Sequence, residues 1–232
     1  MKKSLLVFAL VAMMAAPAMA DIVNGYAGSQ VIGGASPRGT VYYDNTYPPV
    51  TAAYSQSTAA EIGDDLLMTN TEALYLDSVG FSVYNSSSAA GPLTRADLTL
   101  KFYNWDAEIS SYTLAGSLFY DDVAFTGMLP GYFTWFDITG IYVPTVTEIL
   151  LTNDILATLT VSDWQGGTNR VGQILTDPPT IGSSGDVFYR DGGWYWFGGN
   201  PVANFHWKID LIPEPATLAL LALGAFALIR RR

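Results

Sequence analysis

From about residue 73 to residue 211, apolar side chains recur at every second position. Val79, Phe81 and Val83 alternate with Ser78, Gly80 and Ser82, and Leu98, Leu100 and Phe102 with Thr99, Lys101 and Tyr103. Ile155, Ala157, Leu159 and Val161 oppose Leu156, Thr158, Thr160 and Ser162; Phe205, Trp207, Ile209 and Leu211 oppose His206, Lys208 and Asp210. Successive strand side chains point to opposite faces, so a period of two sets one apolar face on a core and a polar face toward water. No stretch of the body stands out with a helical period. Turn-forming runs separate the alternating ones: NSSSAAGP at 85–92, MLPG at 128–131, WQGG at 164–167, DPPTIGSSGD at 177–186 and DGG at 191–193. Many short strands with frequent turns predict an all-β fold, an antiparallel, jelly-roll-like β-sandwich over residues 61–211. Residues 21–60, rich in Gly, Ser, Thr, Tyr and Pro, predict a loop-rich segment with one or two short strands.

The two ends follow other rules. Lys2 and Lys3 precede an unbroken apolar run from Leu5 to Ala16, Pro17 breaks it, and Ala18 and Ala20 are small residues where a signal peptidase reads them. Residues 1–20 therefore read as a secretory signal peptide, cut before Asp21. At the far end Pro213, Glu214 and Pro215 lead into an apolar run, 216–229, closed by Arg230, Arg231 and Arg232. As a helix that run spans roughly 21 Å at about 1.5 Å per residue, short against a hydrocarbon core of about 30 Å. The arginines favour a cytoplasmic C-terminus, which leaves the body across the membrane. The two prolines fix their own φ and bias the residues before them toward extended geometry, a stiff peptide suited to the grip of a processing enzyme.

This three-part tail resembles the PEP-CTERM sorting signal of bacterial proteins. The resemblance covers 212–232: the motif Pro213–Pro215, the hydrophobic helix 216–229 and the basic end Arg230–Arg232. It implies recognition by an exosortase, a membrane-embedded cysteine peptidase or transpeptidase, and cleavage at or near Pro-Glu-Pro. It also implies export to the cell envelope, outer surface or extracellular matrix, often in bacteria that secrete exopolysaccharide, with membrane anchoring that is transient or retained. The segments GDDLLMT, FYNWD, PPTIGSS and GGNPVANF resemble, more loosely, a recurrent β domain of PEP-CTERM proteins. The family shares a tail and differs in body, so the tail assigns the body no activity.

Composition narrows the classes for that body. Between residues 21 and 212, six Lys and Arg stand against twenty Asp and Glu, a net charge of −14. Such a domain repels nucleic acid and anionic lipid. The chain has no cysteine, which excludes a Cys-type zinc site, a c-type haem and a thiol nucleophile.

Residues able to carry chemistry are few. His206, the one histidine, is expected to be exposed on the polar face of its strand. Asp210 shares that face but lies some 13 Å away at about 3.4 Å per residue, too far to pair with it. Asp64-Asp65 and Asp121-Asp122 read as turn or loop acids, because strand neighbours face opposite ways and adjacency alone builds no glycosidase pair. Asn104, Asp106 and Glu108 place three oxygen ligands at alternate positions and are the calcium candidate; the EF-hand spacing fails, with Ile109 and Ala115 where Gly and Glu belong. GGASPRG at 33–39 lacks the Lys-Ser/Thr of a phosphate loop. The run FYRDGGWYWF at 188–197 offers Trp194, Tyr195 and Trp196 as candidate glycan-binding residues, with Trp194 and Trp196 on one face and Tyr195 and Phe197 on the other. The resulting expectation is an exported, non-enzymatic envelope or matrix protein without a cofactor. A carbohydrate-binding module acting on exopolysaccharide is the alternative, and a carboxylate-dependent glycan hydrolase a third reading.

Overall fold

The computed structural model describes residues 21–33, 39–46, 50, 52–143, 147–198 and 204–213. Among them run fifteen strands and no helix. In chain order these are β1 (Gly25–Ile32), β2 (Thr40–Asp44), β3 (Ala52–Gln56), β4 (Ile62–Leu67), β5 (Leu74–Asn85), β6 (Leu93–Asp106), β7 (Ser111–Met128), β8 (Tyr132–Thr139), β9 (Leu150–Leu151), β10 (Asp154–Gln165), β11 (Val171–Thr176), β12 (Val187–Arg190), β13 (Gly193–Trp196), β14 (Asn204–Phe205) and β15 (Trp207–Ile212). Nine of them, β1, β2, β3, β5, β8, β9, β11, β14 and β15, make one sheet; the other runs β13-β12-β4-β10-β6-β7.

The two sheets face each other because each has one apolar side to hide. Val79, Phe81 and Val83 of β5, Leu98, Leu100 and Phe102 of β6, and Ile155, Ala157 and Leu159 of β10 belong to one buried cluster. Fully burying a Val, Leu, Ile or Phe side chain contributes about 1.5–3 kcal/mol. β5 is the spine of the larger sheet. Residues 78–84 pair with β8 along one edge, and residues 75–81 pair with β15 along the other. β15 pairs in turn with β2, so the last strand of the body is an interior strand, and its Trp207, Ile209 and Leu211 are fully buried.

The architecture departs from expectation in four places. Residues 21–60 supply three strands of the larger sheet rather than one or two. β3 escapes a reading by alternation because all five of its residues are buried, so both of its faces are covered. The larger sheet is mixed: β1 pairs with β8 in parallel. A hairpin would force antiparallel pairing, but these two strands are distant in sequence and free of that rule. Asp64 and Asp65 sit within β4, and Asp121 and Asp122 within β7, rather than in turns. At Asp122 the edge strand kinks through a positive φ of 49°, and its carboxylate meets Arg95.

The fourth departure concerns the second face of the larger sheet, expected to be polar and open. It is largely covered. Ser78, Ser82 and Tyr84 are buried, and a Cβ on Gly80 would lie 2.1 Å from the Trp135 ring, which rests directly on that glycine. Ala53, Tyr84 and Ile174 form a small second core there, with Val23, Val50 and Phe133 against it.

Candidate functional site

The outer face of the six-stranded sheet carries a row of aromatic rings. Trp105 on β6 contacts Tyr112 on β7 (5.1 Å between centroids), Tyr112 contacts Trp194 on β13 (5.8 Å), and Trp194 contacts Tyr189 on β12 (5.7 Å). β7 and β13 are the two opposite edges of this sheet. On a flat sheet, five strand spacings would hold those edges about 24 Å apart. Contact between Tyr112 and Trp194 therefore requires a face that curls into a trough, with both rings leaning inward over it.

Polar groups line the same trough. Glu61 accepts hydrogen bonds from Lys101 Nζ (2.8 Å), the Tyr103 hydroxyl (2.7 Å) and the Thr158 hydroxyl (2.7 Å). Burial pushes the Glu61 carboxyl up, but these donors outweigh it and hold the group below its ordinary value. Tyr112 donates to Asp154 (3.1 Å), and burial, followed by the Asp154 charge, raises the phenol. Rings for stacking beside fixed donors and acceptors are the parts of a sugar-binding surface.

The hairpin β12–β13 sets two of these rings. Arg190 opposes Gly193 across a two-residue turn, Asp191-Gly192, both with positive φ. That turn matches the strand twist and favours a glycine at its second position. It fixes the register so that Trp194 opposes Tyr189 on the outer face. Trp196 lies further along, half-exposed, while Tyr195 and Phe197 turn inward and pack on Phe188 (5.4 and 4.5 Å). Sequence reasoning missed Trp105, Tyr112, Tyr189 and the Glu61 network. Alternation around Phe102 sets Trp105 on the outer face, but no local signal brings β7 to β13.

The remaining candidates go elsewhere. His206 is buried rather than exposed, because the second face of its sheet is covered. Its ring lies 4.8 Å from Trp135 and 6.2 Å from Phe133, and Nε2 is 3.3 Å from the Thr46 carbonyl, which can only accept. Burial lowers its pKa to about 4, leaving a neutral imidazole. Asp210 is buried too and accepts from the Ser78 hydroxyl. Asp64 points into the core, where it accepts from Ser184 (3.0 Å) and from the Phe205 N–H (2.8 Å) across the sandwich. Burial, then the Asp65 charge, lifts its carboxyl well above the ordinary range. Asn104 spends its side chain on Leu150 and Thr152, and Asp106 accepts from the Glu108 N–H. Among the described residues no group of three or more His, Cys, Asp or Glu could hold a metal ion. Asp21 is anchored: its N–H donates to Ala53 O (3.1 Å), and its carboxylate accepts from Ser55 and Ser86.

The expected signal peptide with Ala18 and Ala20, the run 34–38, and Glu214 to Arg232 lie outside the described residues. What is described is the approach to the tail: β15 ends at Ile212, opposite Tyr75 of β5, and Pro213 follows at once. A family profile described as the PEP-CTERM protein-sorting motif matches residues 211–232. The chain carries a PEP-CTERM sorting signal. Such a signal implies processing by an exosortase and export to the cell envelope or surface. No curated protein matches this PEP-CTERM chain. Among solved structures, one described as a non-crystalline cellulose specific carbohydrate-binding module, CBM28, aligns at 12% identity and a TM-score of 0.28, over 67% of this chain and 97% of that one. A TM-score of that size carries no weight for the function.

Proposed function

We propose that this is an exported, non-enzymatic protein of the cell envelope or extracellular matrix, cut at its C-terminus by an exosortase and working without a cofactor. The junction supports this: the sorting motif begins at Leu211, inside the last strand of the folded body. Signal peptidase and exosortase are its processing partners, and the inner membrane its support at least until cleavage. The intact mass of the protein, taken from envelope and medium of the native host, tests the reading. A mass ending near Pro213–Pro215, with or without an added group, agrees with it. A mass running to Arg232 describes instead a surface protein that keeps its anchor.

A second reading, favoured by the row of four rings, makes the sandwich a carbohydrate-binding module for matrix polysaccharide. The trough is lined by rings and by groups that can meet sugar hydroxyls, and the domain's −14 charge favours a neutral glycan over an acidic one. Retardation on gels containing neutral β-glucans, and its loss in Trp194→Ala, is the expected result. Equal mobility with and without glycan removes this reading and leaves the first intact.

A further inference from the structure

The junction also orients the molecule. β15 leaves the sandwich at Ile212, and three residues, Pro213 to Pro215, separate it from the apolar run that starts at Ala216. From Ile212 to Ala216 there are four residue steps, which at about 3.3–3.6 Å each reach roughly 14 Å when fully extended. Whatever their conformation, the exit of β15 cannot stand further than that from the start of the run.

Register identifies what surrounds this exit. Ile212 opposes Tyr75 and Leu211 opposes Thr40, so the starts of β2 and β5 are there. Ser78 opposes Thr139, which puts the end of β8 and the following Ile141–Val143 at the same end. Tyr142 packs on Tyr75 at 4.8 Å, and Val143 is 44% exposed. Tyr142 is buried against Tyr75, so the apolar residue this end offers to the headgroup layer is the exposed Val143. Exposed Glu72 and Glu148 belong to this end as well, so its fit is to zwitterionic rather than anionic lipid.

We infer that, while the tail is attached, this end of the sandwich is held against the membrane surface, with Val143 at headgroup level. The inference rests on the sorting reading, in which 216–229 enters the bilayer. The opposite end, with Leu129 in the β7–β8 turn, then stands away from the lipid by the length of β8, about 24 Å at 3.4 Å per residue. The Trp105–Tyr112 part of the trough lies at the near end, since Asn104 bonds Leu150 and Thr152, and Leu150 opposes Tyr75.

The chain has no cysteine, so single-cysteine variants report one position each. The test uses the chain from Asp21 to Arg232 in zwitterionic phosphatidylcholine vesicles, with a fluorophore at Val143→Cys, Leu129→Cys or Ala222→Cys. Val143 and Leu129 are both exposed, so neither substitution disturbs the core. A headgroup-borne quencher is expected to suppress the Val143→Cys label and to leave the Leu129→Cys label at its lipid-free intensity. A quencher at the bilayer centre is expected to suppress the Ala222→Cys label. If Ala222→Cys is quenched while Val143→Cys and Leu129→Cys respond alike, the orientation is wrong and the inserted tail stands. If Ala222→Cys is not quenched, the inserted-tail reading falls and takes the orientation with it.

Discussion

The outer faces of the two sheets are built from similar residues and put to opposite uses. On the nine-stranded sheet Trp135 lies down on Gly80, His206 is packed beneath it, and Tyr84 closes over a small second core while donating to the Ile22 carbonyl (2.7 Å). On the six-stranded sheet Trp105, Tyr112, Trp194 and Tyr189 contact one another over a trough, and the charged pair Lys101–Glu61 sits beside them. Aromatic content therefore does not mark a binding face. What separates the two is what lies under the rings: a glycine and a neutral histidine allow a ring to seal a sheet, whereas hydrogen-bonded charged groups keep a face wet. The sealed face should answer mutation in stability and the open one in binding.

The largest expected effect tests the seal through His206. Its pKa in the fold is about 4, against an ordinary value of 6.5, so the unfolded chain takes up a proton that the folded one refuses. Its contribution is complete above pH 6.5 and is lost as pH falls toward 4, a change of about 3 kcal/mol. Denaturant titrations at pH 7 and pH 4.5 measure it. His206→Gln keeps an N–H donor toward Thr46 but cannot titrate. Its deficit against the wild type should be widest at pH 7 and narrow as the pH falls. A constant deficit would show that the ring is not sealed from water.

Next in size is Gly80→Ala. The new methyl overlaps the Trp135 ring, and the overpacking should cost about 1–3 kcal/mol, read as a lower denaturation midpoint. Trp194→Ala on the other sheet makes the converse case. It should move stability by less than Gly80→Ala does, while weakening glycan retention about tenfold, which is ~1.4 kcal/mol. If Trp194→Ala proves the more damaging to stability, the trough is a second seal and the contrast between the faces collapses.

How much of this was legible in the sequence follows from the range of the forces involved. Period two in β5, β6, β10 and β15 reports burial of one face, a local consequence of the pleat, so the sandwich and its core were readable there. Burial of the other face of β5 depends on Trp135 in β8 and on residues 21–24, which no window around Ser78–Ser82 contains. The same applies to the trough. Trp194 and Trp196 were separable from Tyr195 by alternation, but Tyr112 joins them only because a six-stranded sheet curls. Asp64 was misplaced because a carboxyl inside a core is costly, and the groups that make it tolerable, Ser184 and the Phe205 N–H, come from distant parts of the chain.

Asp64 gives a smaller test, inside the core between the two faces. Its folded pKa is raised, so its contribution is complete below about pH 3.8, the ordinary carboxyl value, and declines as pH rises through the folded value. Asp64→Asn can still accept from Phe205 N–H and donate to Ser184 without any charge to bury. Its Tm should exceed that of the wild type near pH 8, and the advantage should shrink as pH approaches 4. An advantage that grows in acid would mean the Asp64 carboxylate is ionised and stabilised in the core.

The smallest expected effect concerns metal. The open face lies on a domain of strongly negative charge, and a bound calcium ion would change what that face attracts. Asn104 is the one member of the calcium candidate that reaches inward, and its oxygen already accepts from the Thr152 N–H (3.0 Å) and hydroxyl (3.3 Å), while its amide donates to Leu150 (2.9 Å). An ion at Asn104 would have to break these bonds to gain one neutral oxygen ligand, when calcium needs six to eight and favours carboxylates. Chelation with EDTA, and readdition of calcium, should therefore leave both Tm and glycan retention unchanged. A Tm that falls with EDTA and returns with calcium would show that Asn104 exchanges its partners for an ion. The contrast between the faces would then rest on metal as well as on rings.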